Sequence, residues 1–425
     1  MGLFQKKQLF VITAGLLALF IIGLLIGLQR DAVGTTQPKC GGCSPGENTT
    51  CLERCVCSKN SLFFVLLGKE TPLPDNTGSQ PEACRVKKIE ILGNGTSPDI
   101  SADGKSIAYE KKTKGSYEIY LMNEDGSGSH CLTCSNIPGV LQGKHKGKAT
   151  FHPDGKFLLF GAENEYGAHG LSTIPGIGEN HDFWVRSLED GSYWRLTHLP
   201  KDYALQYPRF SADGSKLLWS ERYEKGKMMS KGCEYGFWRL MLANFTLGKE
   251  GPQISGVQEL MPGGPGFYEP HGFSADGSSI IFTAAFENGK SQLYGEIYTY
   301  NLITKELTRI TDSEDIHDEQ SLYSPDGSRI SLMSGPFVGL LRIAYKTDLY
   351  LMDNEGNNRV RLTHFNDPAW PEYTGGSTII NKDAWHPYGT EIISGYYVST
   401  TREEKIFALI FEGPCGNGTA TASKT

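Results

Sequence analysis

Positive charge is in short supply: 41 lysines and arginines stand against 48 aspartates and glutamates, a formal net charge of -7. That balance argues against a nucleic-acid-binding protein, which presents a basic face. Proline is sparse, at 21 of 425 residues, and hydrophobic residues make up only 39% of the chain. Together these exclude a collagen-like chain and a multi-span membrane protein, while 21% charged residues is ordinary for a globular chain rather than a disordered one. Beyond the first thirty residues no apolar run is long enough to span a bilayer, and the stretch 61–67 is far too short. No C-x-x-C-H occurs, which removes covalent haem, and no G-x-S-x-G nucleophile elbow occurs either. What is abundant is glycine, at 51, with 20 tyrosines and 20 phenylalanines. That mixture suits many tight turns between aromatic-rich strands.

Leu9 to Leu28 carries no charge, with Lys6 and Lys7 before it and Arg30 and Asp31 after. Twenty helical residues reach about 30 Å, the thickness of a bilayer core. The flanking charges put the N-terminus in the cytoplasm and the remaining residues outside. The rival is a cleaved signal peptide, but the apolar run is long for one and Leu28-Gln29-Arg30 is a poor cleavage site. The cysteines agree with an exterior compartment. Six of the ten, Cys40, Cys43, Cys51, Cys55, Cys57 and Cys84, crowd a short segment after the anchor, as a disulfide staple would. Cys40 and Cys43 have metal-ligand spacing, but their neighbours do not repeat it and no histidine is near. Cys131 and Cys134 read as a structural thiol pair or local disulfide, with a redox pair as the alternative. Sequons at Asn48, Asn94, Asn244 and Asn417 permit glycosylation.

The rest of the chain repeats. Ile100-Ser-Ala-Asp-Gly104, Phe151-His-Pro-Asp-Gly155, Phe210-Ser-Ala-Asp-Gly214, Phe273-Ser-Ala-Asp-Gly277, Tyr323-Ser-Pro-Asp-Gly327 and Trp385-His-Pro-Tyr-Gly389 share one pattern, their glycines 51, 59, 63, 50 and 62 apart. Each is followed by an apolar strand, such as Phe157-Leu-Leu-Phe160. A second strand then follows, such as Asp348-Leu-Tyr-Leu-Met352, then an Asn/Asp/Gly turn and a last strand often ending in Leu-Thr, as at Arg195-Leu-Thr197. Four strands per repeat is the content of one propeller blade. The motif aspartates read as turn formers rather than catalysts, and His152 and His386, in the motif's serine position, as local hydrogen-bonders. The sixth repeat lacks a fourth strand, while Arg85 to Leu92 is a strand-like orphan ahead of the first. Closing the ring from both termini would make Val86 to Leu92 the outer strand of the last blade.

These motifs closely resemble the WD40-like PD40 repeats of TolB-type β-propellers, over about residues 85–415. The resemblance implies an all-β fold, a six-bladed propeller, and leaves function open. TolB-type proteins carry a separate α/β domain before the propeller, for which the Cys-rich residues 31–84 are too short. Prolyl-oligopeptidase-like enzymes carry a hydrolase domain after theirs, and none is expected here. The organisation expected is an anchor at 1–30, a Cys-rich linker at 31–84, the propeller at 85–415 and a flexible tail at 416–425.

Propellers bind ligands where inner strands line the channel. Reading back from each motif gives Glu269 and His271 in repeat four, His317, Asp318 and Glu319 in repeat five, and Asp383 in repeat six. Residues two apart share a strand face, so these residues are expected to converge on one channel mouth. Carboxylate with imidazole there reads as a hydrated polar funnel, as a small-ligand or divalent-cation site with His271, His317 and Glu319 as metal donors, or as an acid–base pair. The insertions 162–180 and 222–235 are candidate binding loops. The short basic run Lys144 to Lys148 reads as a solvated loop. Two function classes follow. The first is a membrane-anchored, extracytoplasmic, non-catalytic platform for a protein or glycan partner. The second is a metal-dependent lyase or hydrolase at the channel mouth, for which oligogalacturonate lyases give a propeller precedent without a residue-by-residue match.

Overall fold

A computed structural model describes residues 81–227, 232–287, 290–338 and 344–415. The expected anchor, the linker up to residue 80 and the tail 416–425 lie outside the described residues. Among the described residues no helix is long and apolar enough to cross a membrane.

Six antiparallel sheets follow the six repeats. The first described strand, β1 (Val86–Asn94), belongs to the last sheet. Blade one is β2 (Thr96–Ile100), β3 (Ser106–Thr113), β4 (Ser116–Asn123) and β5 (His130–Cys131). Blade two is β6 (Lys146–Phe151), β7 (Phe157–Glu163), β8 (His181–Ser187) and β9 (Tyr193–Arg195). Blade three is β10 (Ala204–Phe210), β11 (Lys216–Lys225), β12 (Gly236–Gly248) and β13 (Gly251–Leu260). Blade four is β14 (Phe267–Phe273), β15 (Ser279–Ala285), β16 (Glu296–Asn301) and β17 (Leu307–Arg309). Blade five is β18 (Ile316–Tyr323), β19 (Arg329–Val338), β21 (Asp348–Asp353) and β22 (Val360–Arg361), with the short β20 (Ala344–Tyr345) paired to β19. Blade six is β23 (Thr378–Trp385), β24 (Glu391–Val398), β25 (Glu403–Phe411) and, on its outer edge, β1. The ring therefore closes from both termini, as the orphan strand implied. A Cys84–Cys415 disulfide fastens the same seam, so the last cysteine assigned to the linker is a closure residue of the propeller. Cys131 and Cys134 are bonded to each other.

The second strand of most repeats is apolar without alternation because both of its faces are covered, and in blade five the alternating Ser331 is buried as well. Leu158 packs toward blade one and Leu159 toward blade three. Ile280 and Ile281, and Ile392 and Ile393, divide in the same way between their two neighbours. Six apolar clusters result, one at each junction between blades.

The repeated polar residues lock the turns and blade edges. In the motif, Ser274 Oγ donates to Asp276 Oδ1 at 2.6 Å and accepts the Ser279 N–H at 3.0 Å. Ser101, Ser211 and Ser324 repeat both bonds. Where histidine replaces serine, its ring packs on the next motif turn: a Cβ on Gly214 would lie 2.4 Å from His152 Nε2, and one on Gly104 equally close to His386 Nε2. The Leu-Thr ending has a role as well. Thr197, Thr311 and Thr363 each donate to an acid at the head of the third strand, Asp182, Glu296 and Asp348, which also holds an arginine two residues before the threonine.

Candidate functional site: two mouths of one channel

Each innermost strand carries a β-bulge at the same place. Pairing with the second strand slips between Thr96 and Asp99, Gly147 and Thr150, Gln206 and Arg209, Pro270 and Gly272, Glu319 and Leu322, and Ile380 and Asp383. Ser97, Lys148, Tyr207 and Gln320, seven residues before their motif glycines, take positive φ of 51–54° there. A bulge interrupts the two-residue alternation of a strand and re-aims its side chains. At the bulges the channel has a hydrogen-bonded waist: Lys148 Nζ donates to Ser97 Oγ at 3.2 Å and to Tyr207 Oη at 3.3 Å. Gln320 Nε2 donates to Glu269 Oε1 at 2.7 Å.

Residues before the bulge face one mouth, where a cavity of about 440 Å³ is lined by Glu269, His317 and Glu319. Tyr207, Tyr235, Trp238, Phe267 and Tyr345 supply its aromatic wall, and the insertions of blades two and three close its sides with Glu179, Arg222, Lys225 and Glu234. The charges there are already engaged. Arg222 Nη2 bonds Glu179 at 2.5 Å, and Lys225 Nζ reaches the same carboxylate at 3.1 Å. His317 Nε2 lies 3.4 Å from Glu319 Oε2, while its Nδ1 faces the Gly295 N–H at 3.2 Å. Burial opposes charge on His317, but Glu319 outweighs it and holds the imidazole above its ordinary value. Burial, then repulsion from Glu319, pushes Glu269 well above the usual carboxylate range. Burial works against ionised Glu319 too, yet His317 keeps it below that range. The arrangement is an imidazole and a carboxylate that favour each other's charge, beside a second carboxyl whose ionisation burial and Glu319 oppose.

Residues after the bulge face the opposite mouth, a cavity of about 340 Å³ ringed by the six motif turns and lined by Asp99, Arg209, His271 and Asp383. Burial pushes Asp383 up to about 6 and pushes the neighbouring Lys382 down to about 8. Lys382 Nζ donates to Asp99 Oδ1 at 3.0 Å and to the Ala149 carbonyl at 2.7 Å.

The expected convergence of Glu269, His271, His317, Glu319 and Asp383 on one mouth is therefore corrected. The bulge at Pro270 sends Glu269 to one cavity and His271 to the other, although they are two residues apart in sequence. Asp318 lines neither cavity. It is buried in a polar clamp, accepting from Arg359 Nη2 at 2.7 Å, Ser334 Oγ at 2.5 Å and Ser313 Oγ at 2.9 Å. Repeats one and two also supply channel residues, Asp99 just after the bulge and Lys148 at it.

A different donor set comes within metal-binding reach of itself. His145, Glu163 and His169 place their ligand atoms within 4.8 Å of one another, and they form the one such group among the described residues. Their geometry is that of a latch. The two imidazoles stack at 4.3 Å with an 8° tilt, so their in-plane lone pairs lie in parallel planes. His145 Nδ1 accepts the Tyr117 N–H at 3.1 Å, and Glu163 accepts the backbone N–H of both histidines. These bonds pin the blade-two insertion to its own sheet. The basic run from Lys144 is likewise embedded: Lys146 is fully buried, its Nζ 3.0 Å from Glu118.

The six four-stranded sheets and their repeated turns define a six-bladed β-propeller. No family model matches the chain. The Tol-Pal system protein TolB of Gluconobacter oxydans (strain 621H) is 35% identical over 82 residues, 19% of this chain and 16% of that protein. The chain thus spans under a fifth of that curated relative. Among solved structures, TolB from Acinetobacter baumannii matches with a TM-score of 0.45 and 15% identity, covering 74% of this chain and 65% of that one. Oligogalacturonate lyase from Vibrio parahaemolyticus matches with a TM-score of 0.45 and 10% identity, covering 79% and 95%.

Proposed function

We propose that this protein is a membrane-anchored, extracytoplasmic propeller that serves as a non-catalytic binding platform, receiving a protein or glycan partner at the insertion-side mouth. The observation that carries this reading is the aromatic cavity with its charges already paired. Five aromatic rings stand around carboxylates that already have hydrogen-bonding or charged partners. Aromatic surface with satisfied polar groups recognises a partner at low ordering cost. The Cys84–Cys415 and Cys131–Cys134 disulfides support an oxidising compartment.

The test pairs covalent capture on intact cells with a glycan array, comparing the native chain with a Trp238→Ala, Tyr345→Ala double variant. Partner or glycan capture that falls at least ~10-fold in the folded variant supports the platform. Turnover of any polysaccharide or peptide by the native chain, lost in Glu319→Gln, would replace it with the enzymatic reading.

A further inference from the structure

The motif-side mouth has a chemistry of its own. Arg209 is only 6% exposed, and its Nε and Nη2 have no hydrogen-bond partner; Nη1 alone approaches Asp99 Oδ1, at 3.6 Å. Those two unpartnered N–H groups lie on one edge of the guanidinium plane, the fork that grips a carboxylate with two parallel bonds. Across the cavity, His271 is fully buried. Its Nε2 sits 2.7 Å from Thr283 Oγ1, whose own proton goes to the Asp318 carbonyl at 3.1 Å. Nε2 must then be the donor, so Nδ1 is left as a bare lone pair, and it has no partner. Asp383, also fully buried, accepts Ser331 Oγ at Oδ2 (2.7 Å), while Oδ1 has no partner.

Four unpartnered atoms of three buried side chains thus belong to residues lining one cavity of about 340 Å³. Leaving such atoms buried and unsatisfied costs about 1–3 kcal/mol each, so a site that holds them is built for something polar. A divalent cation is a poor fit, because Arg209 and Lys382 both exert positive charge on Asp383. An anionic fork with a hydrogen-bond donor nearby fits every free atom. The anion takes the Arg209 edge, and the donor reaches His271 Nδ1 or Asp383 Oδ1.

We propose that this mouth binds an α-substituted carboxylate, one carrying a hydroxyl, ammonium or amide N–H on the adjacent carbon. Two sources present that chemistry: a free hydroxy or amino acid, and the C-terminal residue of a polypeptide. The site is separate from the partner-binding mouth and does not rest on it.

Calorimetric titration of the full-length chain in detergent with lactate, alanine, N-acetylalanine and N-acetylalanine amide tests the assignment. Saturable binding is expected for at least one of the three carboxylates, and none for the amide. Arg209→Lys keeps the charge but loses the fork, and is expected to weaken binding at least ~10-fold while thermal melting confirms the fold. Should that variant fail to fold, the carboxylate-against-amide contrast on the native chain decides alone. Preference for lactate or alanine assigns a free small molecule, and preference for N-acetylalanine assigns a chain terminus. Absence of saturable binding by all three carboxylates up to about 10 mM, equal binding of the amide, or affinity unmoved in folded Arg209→Lys would overturn the proposal.

Discussion

Ser274 serves the motif turn twice with one hydroxyl, donating to Asp276 and accepting the Ser279 N–H. Asp276 in turn accepts the Ser278 N–H at 3.0 Å, and its carboxylate is held down at about 2, first by Ser274 and then by Ser278. The group is almost wholly exposed, so its worth is local: it fixes the hairpin rather than a charge network. Asp276→Ala is expected to lower the melting temperature by about 2–4 °C, as loss of a capping bond does in a domain of this size, without touching either channel mouth. Loss of carboxylate binding by the folded variant would move the motif acids from scaffold to site. His181 makes the opposite case, a buried histidine kept neutral. Burial pushes it down to about 4 from an ordinary 6.5, and its Nε2 lies 2.6 Å from the Thr173 carbonyl of the blade-two insertion. Between those two values the unfolded chain takes up a proton that the folded chain refuses. The stability tied to this residue is therefore complete above pH ~6.5 and is lost as pH falls toward ~4, at about 1.4 kcal/mol per unit of separation. Urea melts of the native chain and His181→Gln are expected to show a stability gap that narrows from pH 7.5 to pH 4.5. A gap constant across that window would show that the imidazole is not held neutral.

At the scale of strands, the parts visible in the sequence are those that depend on spacing. The motif glycines, the unbroken apolar pairs after them and the unpaired Val86–Leu92 segment each had one reading. They gave six blades and the closure strand, which the structure extends to Asn94. What spacing does not show is a single extra residue. The bulge in every inner strand leaves no compositional mark: lysine, tyrosine, glutamine and serine occupy positive φ where glycine or asparagine would have signalled it. Glu269 and His271 consequently looked like one face and belong to two. Cys84 was legible as a disulfide residue, but its partner lies 331 residues away and only the closed ring brings the two together. That bond ties the outer strand of the last blade to the end of the same sheet. Cys84→Ser is expected to lower the unfolding free energy by roughly 2–5 kcal/mol, read in denaturant melts against the native chain. Removing residues 85–92 should go further, exposing the edge of β25 and driving association, read by size-exclusion chromatography. A monomeric deletion variant with native melting behaviour would place closure elsewhere.

For the whole molecule, ring closure turns six equivalent strands into one axis with two unlike ends. The bulge residues meet at the waist, where Lys148, Ser97 and Tyr207 are joined by hydrogen bonds. On one side of that waist the polar groups are paired among themselves under an aromatic wall; on the other, Arg209, His271 and Asp383 keep free hydrogen-bonding atoms. A packed, bonded waist lies between the two ends, and Trp238 and Tyr345 share no hydrogen bond with Arg209; substitutions at sites without shared partners add independently. The Trp238→Ala, Tyr345→Ala double variant is therefore expected to lose partner capture on intact cells while holding its carboxylate affinity within about 2-fold. Arg209→Lys is expected to do the reverse. Measuring both readouts on both variants completes the cross. If the aromatic variant also lost carboxylate binding while its melting curve stayed native, the waist would be transmitting between the mouths. Lys148→Met, which keeps the stem but removes the bonds to Ser97 and Tyr207, would then be the variant to abolish that transmission.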